Sequence, residues 1–140
     1  MDKFTFIDHT ADIQYEACGF SFEEALSNAA LAMFTVMSNV DAINEQEHVV
    51  IEEKAETLEE LAGYVLGDIL AESGSQELFF SRFSVSSFAK EDGGYELAGT
   101  AFGEEMTPEK GKTEIKAVTM HEISVVHEGN MWKIKVILDL

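Results

Sequence analysis

The sequence is short of bases, cysteine and proline. Nine Lys and Arg stand against 27 Asp and Glu in 140 residues, a formal net charge of −18. Nucleic-acid affinity rests largely on cationic side chains that neutralise phosphates, so the imbalance argues against a broad nucleic-acid-binding face. It suits divalent cations or a basic protein partner instead. The one cysteine, Cys18, excludes an internal disulfide framework and fits a reducing compartment. No apolar run reaches the ~20 residues of a membrane helix, and the start lacks a basic-then-apolar leader, so we expect a cytoplasmic protein with no membrane contact. The one proline, Pro108, lies in the polar stretch from Glu104 to Thr113, the longest candidate for a flexible loop. Gly-rich phosphate loops, CxxC pairs and nucleophile-elbow serines are also missing.

Apolar residues make up 46% of the chain, ten of them Phe, enough for one core. We expect a single domain over residues 1–140. Strand patterns run over Lys3 to Ile7 and Ile13 to Cys18, the second with alternating polarity. Ser21 with Glu24, and Thr57 with Glu60, are capping boxes that open helices. The first helix is expected over about 22–38. The second carries Leu58, Leu61, Val65, Leu66, Ile69 and Leu70 and is expected to end at Ser73-Gly74-Ser75. Its Gly63 and Gly67, four apart, imply close packing. Further strands are expected over Glu47 to Glu53, Leu78 to Phe88, Tyr95 to Phe102, Glu114 to His127 and Met131 to Leu138. The fold class is α+β, two helices packed on a mostly antiparallel or mixed sheet.

Candidate chemistry concentrates in carboxylates. Asp8 and Asp12 flank the turn DHTAD, with His9 and Thr10 between them, and the chain finishes in a strand carrying Asp139 and the α-carboxylate of Leu140. Hard cations such as Ca²⁺ and Mg²⁺ take such oxygens. If the last strand runs beside the first, Asp12 and Asp139 could meet. The competing reading is a capped turn and a solvated end residue. Lys116 is a base in an apolar stretch, TEIKAVTMH, read as one long strand with Ile115, Ala117 and Thr119 on one face. It either neutralises Asp8 or Asp12, or holds an anionic group of a ligand. Cys18, at the end of an apolar alternation, is expected to be a buried structural thiol rather than a nucleophile.

Several of these stretches together resemble the archease family. They are Phe4 with DHTAD (Asp8 to Asp12), Gly19 with Glu23 to Leu26, the AAxAMF helix, Leu78-Phe79, Gly103-Glu104, EIKAVTMH (Glu114 to His121) and the finish from Trp132 to Leu140. The resemblance spans the chain and implies a non-enzymatic accessory protein of an RtcB-type RNA ligase in tRNA splicing and RNA repair. Such proteins promote guanylylation of the ligase and its multiple turnover. The resemblance further implies a divalent metal of the calcium type, with Mg²⁺ or Mn²⁺ as alternatives, held by Asp12, Asp139 and an oxygen of Leu140. His9 and Lys116 would support the site. Many archeases carry Arg-His in the loop before the KAVT stretch. Here it reads Pro108 to Lys112 with neither, so no role transfers to that loop. A general chaperone or modulator of nucleic-acid-processing proteins is the alternative function. An independent metal-dependent hydrolase is a third, with His9 as its only nearby acid or base.

Overall fold

The computed structural model describes residues 2–7 and 12–140. In chain order its elements are β1 (Phe4–Ile7), β2 (Ile13–Gly19), α1 (Phe22–Met37), β3 (Glu47–Ala55), α2 (Leu58–Gln76), β4 (Leu78–Glu91), β5 (Gly94–Glu105), β6 (Ala117–Val118), β7 (Ser124–Glu128) and β8 (Met131–Asp139). The strands divide into two sheets in which every described pairing is antiparallel. One runs β1-β2-β8, with β6 and β7 sharing the far edge of β8. The other runs β3-β5-β4.

Both helices start as the capping boxes require. Ser21 Oγ accepts from the Glu24 amide and Thr57 Oγ1 from the Glu60 amide, each at 3.1 Å. Apolar spacing then buries Phe22, Leu26, Met33 and Phe34 of α1 against both sheets, and Leu61, Val65, Leu66 and Ile69 of α2. Each such side chain contributes about 1.5–3 kcal/mol when fully withdrawn from water. Alternation in β2 sends Tyr15 and Ala17 into the core. The buried Tyr15 hydroxyl donates to the Ala29 carbonyl at 2.8 Å, and burial pushes its pKa up.

The structure departs from the sequence reading at four places. Glu114 to His127 is not one strand. Glu114 to Lys116 are irregular, β6 has two residues, and a one-turn 3₁₀ helix at Met120–Glu122 precedes β7. Both fragments lie along β8, but the pairing register slips by three residues between Val118↔Leu138 and Ser124↔Lys135. The turn absorbs those residues by seating Met120 and Ile123 on Gly63 of α2, which has no Cβ to block them. The apolar pattern of the stretch therefore serves two contacts, not one pleat. Second, α2 runs through Ser73-Gly74-Ser75 to Gln76. Ser73 Oγ donates to the Leu78 carbonyl at 2.6 Å, and Glu77 supplies the left-handed cap at φ 55°. Third, Cys18 is only half-buried. It shares the outward face of β2 with Gln14 and Glu16. Burial first, then the Glu16 carboxylate, pushes its thiol pKa up, which keeps it protonated.

The fourth departure is the polar stretch from Glu104 to Thr113, which is pinned rather than loose. Glu104 and Glu105 still belong to β5. The Lys112 and Thr113 amides donate to the Met37 and Val36 carbonyls at 2.9 and 3.1 Å, and Lys112 Nζ reaches the Thr35 carbonyl at 3.2 Å. Helix α1 has no base in its last turn, so this segment supplies donors for its orphan carbonyls. The Lys110 ammonium hydrogen-bonds the buried Glu104, and Asn44 adds a donor at 3.4 Å.

Candidate functional site

The ladder between β2 and β8 pairs Ile13 with Leu138 and ends there. Asp12, a half-buried bend residue, is the next position on one strand, and the exposed Asp139 is the next on the other. The start of β2 and the end of β8 thus meet at one sheet end, where a continued register would set Asp12 opposite Asp139. On the other side of Asp139 stands Ala117 of β6. Partners across a ladder share a face, so these positions point away from the core that Leu138 and Val118 enter.

The outward face is not bare beneath the carboxylates. Ile7, Gln14 and Ile137 form the next cross-strand row, and Gln14 and Ile137 are only 9% and 8% exposed. Gln14 escaped the sequence reading as a site neighbour. Its signal was the same period-two alternation that put Tyr15 inside.

Lys116 reaches the site through its backbone. Its amide donates to the Asp139 carbonyl at 2.8 Å, and the Thr119 amide donates to Ile137 at 2.9 Å. The Lys116 side chain is exposed and forms no ion pair with Asp12 or Asp139 among the described residues. Neutralisation of Asp12 by Lys116 is therefore not what this structure contains. Leu140 follows Asp139 directly and is half-buried against the core. His9, Asp8 and Thr10 lie outside the described residues.

The donors assembled here are oxygens, the chemistry hard divalent cations take. Among the described residues no three His, Cys, Asp or Glu side chains cluster as a metal site. Two carboxylates alone leave most of a six- to eight-fold oxygen shell to be completed by the chain terminus, backbone and water. Neither aspartate is engaged by a base in an ion pair among the described residues.

The fold defines a class: a small, acidic, two-sheet α+β domain in which the start of β2 lies beside the end of β8. Comparison with known proteins supports the fold and adds the family. The model of the archease protein family matches residues 4–140. The archease protein of Methanothermobacter thermautotrophicus is 38% identical, and that of Sulfolobus acidocaldarius 37%, each with both chains covered in full. The solution structure of Methanobacterium thermoautotrophicum protein 1598 superposes with a TM-score of 0.86 at 34% identity over the whole of both chains. A Thermotoga maritima crystal structure, described as an archease and possible chaperone, gives 0.60 at 26% identity over 96% of this chain and 94% of its own. The chain belongs to the archease family.

Proposed function

We propose that this protein is an accessory factor, not an enzyme, and that it activates an RtcB-type RNA ligase. Asp12, Asp139 and an oxygen of Leu140 would hold a divalent cation of the calcium type, with Mg²⁺ or Mn²⁺ able to compete. His9 and Lys116 would support the site. The carrying observation is the β2-β8 register, which ends at Ile13 with Leu138 and, continued by one residue, would bring Asp12 opposite Asp139. A cation held there would bring positive charge to a surface otherwise rich in carboxylates, where the ligase's guanylylation and turnover could use it. The −18 charge favours contact with the protein over contact with its RNA. Tightly bound RNA would have to overcome that charge without a basic face.

The test is multiple-turnover ligation by the cognate ligase with Asp12→Ala or Asp139→Ala. Stimulation should be lost while the unfolding midpoint stays within a few degrees. A folded variant that still stimulates overturns the assignment.

One observation favours a second reading. Phe6 and Ile7 on the edge strand β1 are 46% and 40% exposed, and Phe20 is 60% exposed. Exposed apolar side chains on an edge strand are what a general chaperone would offer to clients. That reading expects suppression of aggregation of unrelated proteins, unchanged by Asp12→Ala.

A further inference from the structure

On the other side of Lys116 from the strand end lies a groove of about 950 Å³. One wall is α2, where Gly67, Ala71 and Gly74 line it. The other is the segment from Met106 to Met120, with Phe79 at the base. Gly67 and Gly74 have open space where a Cβ would stand, so this wall is nearly smooth backbone. Among the described residues nothing packs within 4 Å of a Cβ position at Gly67 or Gly74. By contrast, Gly63 is filled by Met120.

Three of the six methionines, Met37, Met106 and Met120, line the groove. Methionine is flexible and polarizable, and surfaces rich in it adapt to apolar side chains of differing shape. Glu77 and Glu114 stand in the walls, and the exposed Glu105 and Glu109 adjoin Met106 and Pro108. Two bases are also present, Lys112 and Lys116, so the four acids leave the rim negative by two charges. A soft apolar floor with an acidic rim is complementary to a helix that is apolar on one face and cationic on the other.

A second copy of the chain is the competing occupant, since small-residue stripes permit close helix pairing. Each copy carries −18, and the rims that would meet are both acidic, so self-pairing is opposed. We infer that the groove between α2 and the Met106 to Met120 segment docks a basic amphipathic helix of a protein partner. The inference rests on the reading that the chain acts on a protein. It adds where that partner is gripped and by what kind of segment. The groove shares Lys116 and Ala117 with the carboxylate end of the sheet, so a helix seated there would hold a partner beside Asp139.

The experiment needs no ligase, so its failure is separable from failure of the ligase reading. An amidated Leu/Lys amphipathic peptide of about five helical turns, carrying a fluorophore, is titrated with the full chain and followed by anisotropy. The same peptide with Glu for Lys is the control. We expect saturable binding of the cationic peptide only, with methyl chemical-shift changes at Met37, Met106 and Met120. Gly67→Leu and, independently, Ala71→Trp fill the groove and should weaken binding about tenfold or more, with circular dichroism and unfolding midpoint retained. Glu77→Gln with Glu114→Gln should weaken it by about threefold at low salt and by little at high salt. Equal binding by both groove-filling variants, equal binding of the acidic peptide, or unmoved methionine methyls each overturns the inference. Self-association that Gly67→Leu abolishes, with no peptide bound, hands the groove to a second copy and overturns it equally.

Discussion

Two pairs of carboxylates sit in very different surroundings in this molecule. Asp12 and Asp139 each follow directly on the last ladder pair of β2 and β8, Ile13 with Leu138, at the end of the first sheet. Glu53 of β3 and Asp68 of α2 meet where the second sheet packs on its helix. There burial first, and then the hydrogen bond and negative charge of Asp68, push the Glu53 pKa up to about 7. Two carboxyl groups held close must be offset by something. In the packed interface the offset is a proton, because partial burial disfavours a second charge and no base is near enough to form an ion pair among the described residues. At the sheet end Asp139 is exposed among the described residues, and the cation we propose there would do what a proton does in the interface. A third acid, Glu104, shows the remaining solution. It is 7% exposed, and the Lys110 hydrogen bond, ahead of Lys110's charge and the Asn44 donor, holds its pKa below the usual carboxylate range. Proximity of carboxylates alone therefore does not identify a metal site.

The largest effect that would break this contrast is on metal binding. Asp12→Asn and Asp139→Asn should each weaken Ca²⁺ or Tb³⁺ binding by more than tenfold, about 1.4 kcal/mol, in a luminescence titration. Glu53→Gln should leave that affinity unchanged. Equal losses in all three would mean that cations respond to net charge alone and that the sheet end is not special.

Much of this contrast was legible in the residues. Capping boxes gave both helix starts, alternation gave the inward face of β2, and Gly63 announced a close contact. Facing of Asp12 and Asp139 required only that β8 run antiparallel to β2, which hairpin and strand patterns allow but do not force. What was not legible depended on partners far along the chain. The apolar run through EIKAVTMH hid a register slip of three residues, because α2 and β8 both wanted its side chains. The stretch up to Thr113 looked like a loose loop because the donors of Lys112 and Thr113 serve carbonyls of Thr35, Val36 and Met37, about seventy-five positions earlier. Glu53 reads as one more acid in a charged strand until α2 is laid over it.

A smaller effect sharpens the third solution. Lys110→Met strips Glu104 of its base and should lower the unfolding midpoint by a few degrees at pH 7. The sign follows from the depressed carboxyl: its stabilisation is present above the ordinary value of 4.5 and lost as pH falls through the lower folded value. The penalty should therefore shrink toward pH 3. Calorimetry across that range checks it, and a penalty independent of pH would assign Lys110 a packing role only.

The smallest expected effect has the opposite sign. Glu53 is protonated more readily folded than unfolded, so between 4.5 and about 7 the folded state binds the extra proton. Stability must then fall as pH rises through that window, and the full cost is felt above it. Glu53→Gln, which keeps the shape and the hydrogen-bonding capacity toward Asp68, removes the titration. At pH 8 it should raise stability by about 1 kcal/mol after allowance for solvent screening, roughly 3 °C in Tm, and change little at pH 5. If the gain is the same at both pH values, the pair does not hold a proton, and the contrast between that interface and the sheet end proposed to take a cation loses one of its two sides.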